Sequence, residues 1–168
     1  YPDDETAYLG FFEAYNDPNA VQTMFRYVED RAAADGKRAI LGPVDASIYI
    51  NYRFKIDRFD KTYTGEPFNK PYYPALWKNC GFSVCDRYVS NQLRQVEVED
   101  IDPRLSRIYD RFLARGYRFV TPQRRDFSRY LADICDSMMH LYAGFTGYKP
   151  LTQAQFVSMF SYLKYVLN

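Results

Sequence analysis

Arginines recur at every third or fourth position between residues 102 and 116 of this 168-residue chain. In an α-helix this spacing places side chains on one face, because successive residues turn by about 100° around the axis. The arginines that share this face are Arg104, Arg107, Arg111 and Arg115. An apolar stripe beside them contains Leu105, Ile108, Tyr109, Phe112 and Leu113. The pattern predicts an amphipathic helix that docks on a core and presents guanidinium groups.

Guanidinium groups stay charged and match the geometry of phosphate and carboxylate oxygens. Further arginines follow at 118, 124, 125 and 129, with Tyr117, Phe119, Phe127 and Tyr130 among them. Arginine clusters contact phosphates, and neighbouring aromatic rings can stack on unpaired bases. We therefore predict a nucleic-acid or other anion site composed of Arg104, Arg107, Arg111, Arg115, Arg118, Arg124 and Arg125.

The alternative for these arginines is structural. Their aliphatic stems would border the apolar stripe, and their charges would pair with the chain's own acids. Asp110, Asp126 and Asp133 are the nearby carboxylates. Bulk charge does not decide between the two interpretations, because 22 basic and 21 acidic residues leave a net charge of only +1.

The length is that of one domain over residues 1–168, with an alternative subdivision into a mixed part, 1–101, and a helical part, 102–168. Helix signals dominate. A short helix is expected before Asn16, and a longer one should begin at Pro18, capped by Asp17, and end at Gly36. The arginine-bearing helix and two further helices form a predicted C-terminal three-helix unit. The two further helices are one from Pro122 capped by Thr121 and one from Gln153 capped by Thr152, with Gln155 completing a capping box.

Strand signals are confined to the first half. Apolar and polar residues alternate strictly from Ile48 to Asp57, which indicates a half-buried strand. The span 81–101 is ambiguous, since Val84 to Leu93 suits a helix and Val96 and Val98 suit a short strand. Together these patterns predict a helix-rich α+β domain with a small antiparallel sheet around residues 39–63.

Aromatic residues are unusually frequent, with 17 Tyr and 13 Phe. Between residues 60 and 80 they are mixed with Gly65, Pro67, Pro71 and Pro74, which predicts a long structured loop. Tyr is also enriched where a surface is half buried against a partner. We therefore predict a protein-contact or homo-oligomer surface at Tyr72, Tyr73 and Trp77, with an aromatic core as the alternative.

The chain has no apolar run of about 18 residues and no charged-then-apolar leader, so we expect a soluble protein without a membrane span. The first residue is Tyr1, which leaves a removed targeting segment open. Three cysteines fit reduced thiols in an intracellular setting better than a disulfide framework. In an oxidising compartment Cys80 and Cys85 would be the pair.

Catalytic signals are weak, and we predict no enzyme, no catalytic residue, no cofactor and no metal site. His140 has Asp136 one turn before it, but no nucleophile is assembled around it. The acidic run Glu97, Glu99, Asp100 and Asp102 has the oxygens that a hard cation needs, although a solvated run before a helix is the simpler interpretation. Glycine-rich phosphate loops are absent from the sequence.

Residues 11–31 combine an aromatic segment, a short acidic break and a helix ending in an acidic-basic pair. The segment reads Phe11-Phe12-Glu13-Ala14-Tyr15, then Asn16-Asp17-Pro18, and the pair is Asp30-Arg31. It resembles the region after the motor core of viral primase-helicases of the poxvirus type. The resemblance implies a non-motor part of a replication protein. It departs from the family pattern after the pair, where Ala32-Ala33-Ala34 stands in place of Asn-Pro.

These patterns together predict a non-enzymatic binding or assembly domain that contacts nucleic-acid phosphates through the arginine-lined helix. The alternative is a structural or protein-interaction subunit, viral in origin if the resemblance holds, that uses the Tyr- and Trp-rich loop.

Overall fold

The computed structural model describes residues 5–63, 65–92 and 102–166 of the chain. Contacts divide them into two units. The first contains the described residues up to Asp86 together with Tyr142–Pro150, and the second contains the described residues from Arg87 to Leu141 and from Leu151 onward. The division therefore lies near residue 86, whereas the sequence suggested a cut near residue 101. The strand predicted at 96–98, the end of the helix pattern at Leu93 and the acids 97–100 lie outside the described residues. The helix predicted from Val84 does not form in the described range 84–92, which is neither helix nor strand.

The first unit contains a two-stranded sheet. Strand β1, Thr6–Tyr8, pairs in parallel with β2, Ala39–Leu41, so that Ala7 lies opposite Ile40. The antiparallel sheet predicted around residues 39–63 is therefore wrong. Parallel pairing needs a crossover, and helix α1, Pro18–Ala34, lies between the two strands in the sequence.

The short helix predicted before Asn16 is also wrong, because this segment is extended where β1 forms. Its backbone groups bond across the chain instead of along it: the Leu9 amide donates to the Leu41 carbonyl over 2.9 Å, and the Arg38 amide donates to the Glu5 carbonyl over 2.7 Å. Helix propensity is a weak prior, and long-range pairing overrides it here.

The predicted strand from Ile48 to Asp57 does not form. Only an isolated antiparallel bridge joins Val44 to Tyr52. Local hydrogen bonds turn the chain instead, since the Ile50 amide donates to the Ser47 carbonyl, and Arg53 has a positive φ of 115°. A residue in that conformation interrupts an extended ladder.

Helix α1 begins and ends as predicted. The Asp17 side chain accepts hydrogen bonds from the amides of Asn19 and Ala20, and Pro18 occupies the first turn. Beyond Ala34 the chain leaves the helix through Gly36, whose φ is 71°. This glycine provides the left-handed conformation that commonly ends a helix.

Part of the predicted loop at 60–80 is a helix, α2, Tyr73–Asn79. Pro74 lies in its first turn, where the missing N–H has no helical partner to lose. Helix α2 buries Leu76 and Trp77 against Val21 and Phe25 of α1, and these four residues form the core of the first unit. Proline was therefore a start signal for a helix at this position.

In the second unit, α3 spans Pro103–Ala114, α4 spans Phe127–Leu141 and α5 spans Gln153–Phe160. The predicted capping box at Thr152 and Gln155 is confirmed. Helix α4 begins later than predicted, because Gln123 is extended and a 3-10 turn, Arg124–Asp126, comes first.

Helices α4 and α5 pack on each other and bury four side chains. These are Phe127, Leu131, Cys135 and Phe156. Helix α3 buries no residue and packs closely on no other described helix or strand. The C-terminal part is therefore a helix pair with α3 beside it in the chain, rather than the predicted three-helix unit. No helix of the described residues has the length and apolar character that crossing a bilayer requires.

We expect Gly42→Ala to lower the free energy of unfolding of the first unit by about 1–3 kcal/mol, the usual cost of overpacking. A Cβ at this position would lie 2.5 Å from the Leu9 carbonyl oxygen and 2.5 Å from the Trp77 ring. Gly144→Ala is the matched control, because a Cβ there meets no atom within 4 Å. Urea unfolding followed by circular dichroism measures both. Equal stability of the two variants would contradict this packing.

We expect Trp77→Ala to cost about 3–5 kcal/mol of unfolding free energy, the range for truncating a buried aromatic. Trp77 is 4% exposed, whereas Phe68 is 72% exposed, so Phe68→Ala should be nearly neutral. The measurement is again urea unfolding by circular dichroism, because the variant lacks the only tryptophan of the chain. An unfolding free energy that Trp77→Ala leaves nearly unchanged would contradict the burial of Trp77 in the core.

Candidate functional site

The arginine-bearing helix forms as the sequence predicts. The Asp102 carboxylate caps α3 by accepting the Arg104 amide over 2.8 Å, and Pro103 occupies the first turn. The helix ends at Ala114, and Gly116 follows with a φ of 84°. Helical geometry then fixes four side chains within an arc of roughly 80°. We call this set, Arg104, Arg107, Arg111 and Arg115, the arginine ridge; all four are exposed.

The first member of the arginine ridge is paired within its own helix turn. The Arg104 guanidinium donates to the Asp102 carboxylate through Nη2 at 2.5 Å and through Nε at 2.7 Å. This hydrogen bonding lowers the pKa of Asp102 and raises the pKa of Arg104. Arg104 therefore contributes little uncompensated charge to the ridge.

The other three arginines of the ridge are not neutralised. Arg107, Arg111 and Arg115 form no ion pair with any residue that the structure describes. The carboxylate of Asp110, on the same helix, is equally unpaired within the described part of the chain. Three positive charges thus follow one another over about 12 Å, since each helical residue rises about 1.5 Å.

The remaining predicted arginines lie on other elements. Arg118 follows α3, Arg124 and Arg125 form the 3-10 turn before α4, and Arg129 lies in the first turns of α4. All four are exposed. Arg125 contacts Asp126 at 3.3 Å, an exposed pair that contributes little to stability. A continuous surface from the ridge to these residues stays a prediction.

Aromatic rings lie beside the arginine ridge. Tyr109 stacks on Phe119 with ring centroids 4.5 Å apart, and Phe112 meets Tyr117 edge-on at 5.1 Å. We call these four residues the aromatic patch. Each is at least 38% exposed, and Tyr117 and Phe119 reach 58%. On the helix, Arg115 and Phe112 are about 60° apart, so the patch begins at the edge of the ridge.

The predicted contact surface at Tyr72, Tyr73 and Trp77 is not a surface in this structure. Tyr73 and Trp77 are 2% and 4% exposed, and Tyr72 is half-buried. They form part of the aromatic core, which was the alternative. The spacing of Tyr73, Leu76 and Trp77 explains it, because residues three and four apart share a helix face.

Hydrogen bonds tie these tyrosines to the segment after β1. The Tyr73 hydroxyl donates to the Glu13 carboxylate over 2.6 Å, and the Tyr72 hydroxyl donates to the Ala14 carbonyl over 3.0 Å. Burial raises the pKa of Tyr73, and the bond to Glu13 raises it further. The hydroxyl groups of Tyr72 and Tyr73 thus form hydrogen bonds within the protein.

A recess of about 250 Å³ in the first unit was not predicted, because three separate chain segments assemble it. Its polar groups mostly satisfy one another. Asp45 accepts from the Phe11 amide at 2.5 Å and from the Asn51 amide group at 2.7 Å, while Asn69 accepts from the Lys55 amide. No Ser, Cys or His is among its described lining residues, so these residues form no Ser–His or Cys–His pair.

The other candidate catalytic or metal residues stay apart. His140 is exposed in the last turn of α4. Within the described ranges, no three acidic, His or Cys side chains come together as metal ligands. Glu97, Glu99 and Asp100 lie outside those ranges. Of the four acids that could bind a hard cation, the structure therefore describes only Asp102, which caps α3.

All three cysteines are free thiols, and they differ in exposure: Cys85 is exposed, Cys80 is half-buried and Cys135 is buried. Burial raises the pKa of Cys80 and of Cys135, helped by the charges of Glu29 and Asp136 respectively. Since the thiolate is the reactive form, both should react slowly.

We expect a disulfide reagent at pH 8 to modify one thiol of the folded protein rapidly, and Cys85→Ser should abolish that rapid phase. Cys135 should react only after urea unfolds α4 and α5. The thiol-exchange time course, read by absorbance, measures both expectations. A rapid phase that survives in Cys85→Ser would contradict the burial of the other two sulfurs.

Comparison with models of known protein families, with curated proteins and with solved structures finds no match for the chain. The resemblance of residues 11–31 to poxvirus-type primase-helicases therefore stays a prediction. Three apolar residues of that segment, Phe12, Val21 and Phe25, belong to the core of the first unit or pack on it. Their spacing is thus accounted for by packing.

Proposed function

We propose that this chain is a non-enzymatic nucleic-acid-binding module whose arginine ridge neutralises phosphates. The observation that carries the proposal is the exposure of Arg107, Arg111 and Arg115 without an ion-pair partner among the described residues. Guanidinium groups bind phosphate oxygens through a planar fork and keep their charge at neutral pH. The ridge thus offers three phosphate ligands in a row.

The local arrangement matters more than the net charge of the chain. A net charge of +1 gives little long-range attraction for a polyanion. The ridge concentrates its charge on one helix face, where binding releases counterions from each phosphate that it contacts. Binding should therefore be short-ranged and strongly salt-dependent.

The structural alternative for the arginines has less support. It requires guanidinium groups that pair with the chain's own acids, and Arg104 and Arg125 do pair with Asp102 and Asp126. Asp110 and Asp133, however, form no ion pair within the described part of the chain. The protein-interaction alternative used Tyr73 and Trp77 as its contact surface, and both side chains are buried. Phosphate binding by the ridge accounts for the exposed charges, and it requires neither internal ion pairs nor an exposed surface at Tyr73 and Trp77.

We expect the double variant Arg107→Glu, Arg111→Glu to lose retention on an immobilised single-stranded oligonucleotide. For the unchanged protein, log Kobs against log salt should fall with a slope of about −2, the value for three contacted phosphates on a single strand. Fluorescence anisotropy at 50–200 mM salt, roughly the range in which such contacts are lost, measures the slope.

The matched control is Arg26→Glu, Lys78→Glu, which makes the same change in net charge at exposed positions outside the ridge. It should retain the oligonucleotide nearly as well as the unchanged protein. Unchanged retention by the ridge variant, or an equal loss in the control variant, would refute the proposal. Circular dichroism verifies that each variant is folded.

A further inference from the structure

The aromatic patch, Tyr109, Phe112, Tyr117 and Phe119, is exposed beside the arginine ridge. Phe119 has Tyr109 stacked on it at an interplanar angle of 27° and is still 58% exposed. Phe112 also meets the Phe119 ring, at a centroid distance of 6.3 Å and an interplanar angle of 86°, so Phe119 keeps more than half of its surface exposed beside two neighbouring rings. Tyr117 is equally exposed, and it contacts Phe112 edge-on, at 88°.

Internal packing does not account for these rings. Helix α3 buries none of its residues and packs closely on no other described helix or strand. The rings of Tyr109 and Phe112 contact Phe119 and Tyr117, in the segment that follows the helix. In the first unit, by contrast, Phe25 and Trp77 are buried against each other. An aromatic surface of this kind next to unpaired cations is typical of a binding surface rather than of a core.

The neighbouring charges decide what kind of ligand suits the patch. Along α3, Arg111 and Arg115 lie one turn apart, and Phe112 lies about 60° from Arg115 around the axis. A ligand that follows the helix therefore meets cations on one side and aromatic faces on the other. Single-stranded nucleic acid has this arrangement, with phosphates along its backbone and unpaired planar bases beside them.

Resting on the proposed function, we infer that the arginine ridge and the aromatic patch together bind single-stranded nucleic acid in preference to duplex. Unpaired bases stack on Phe119 and Tyr117 while Arg111 and Arg115 hold the adjacent phosphates. A duplex offers the same phosphates, but its bases stack on one another and their faces do not reach the rings. The preference comes from the patch and the salt dependence from the ridge.

The test compares one oligonucleotide as a single strand and as a duplex, at the same salt concentration, by fluorescence anisotropy. The unchanged protein should bind the single strand at least about fivefold more tightly, the factor for one stacked base. A 2-aminopurine base in the single strand should also lose fluorescence on binding. The variant Tyr117→Leu, Phe119→Leu should bind both forms with the affinity of the unchanged protein for duplex.

The matched control is the exchange Tyr117→Phe, Phe119→Tyr, which keeps two aromatic faces and should keep the preference. It also guards against misfolding of the leucine variant, since the inference fails if this folded exchange loses the preference. Equal binding of both forms by the unchanged protein overturns this inference alone, whereas binding of neither form overturns the proposed function. Tighter binding to phosphatidylserine vesicles than to the oligonucleotide would also overturn the inference.

Discussion

The indole ring of Trp77 lies against the backbone at Gly42, in a space that leaves no room for a Cβ on that glycine. The ring also meets Phe12, Phe25 and Phe54 edge-on, with centroids between 5.1 and 5.5 Å apart. One side chain of α2 thus packs on α1, on the segment after β1 and on the turn after β2. Packing this dense is sensitive to single methyl groups, so the arrangement of the first unit depends on this contact.

This core explains where part of the aromatic content goes. In the first unit, Phe25, Tyr73 and Trp77 are buried, and the hydroxyl of Tyr73 finds an acceptor in Glu13. In the second unit, Tyr117 and Phe119 have the same kinds of ring and are mostly exposed. The rings differ in whether another helix or strand covers them, and amino-acid composition does not determine that. The high count of Tyr and Phe was therefore compatible with both a core and a binding surface.

Helix ends were predictable because their signals are local. Asp17 and Thr152 each cap a helix as expected, and Asp102 caps α3 in the same way, since a cap needs only the amides two or three residues ahead. Strand β1 was not predictable from its own residues, because its hydrogen bonds go to β2, more than 30 residues away. Pattern alone also misjudged Ile48 to Asp57, where turn hydrogen bonds replaced the ladder that strict alternation suggested.

The candidate site was predictable to the same extent and for the same reason. Helical spacing alone places the arginine ridge on one arc, and the structure contains that helix. Spacing does not say whether the helix has neighbours. Among the described helices and strands none packs closely on α3, and this changes the meaning of its apolar stripe. Leu105 and Leu113 are 54% and 44% exposed, so the stripe is not the core-facing side that the sequence suggested. When the charged face and the apolar face of a helix are both exposed, one ligand can contact cations and aromatic rings at the same time. A ligand that combines phosphates with planar bases has groups that match both faces.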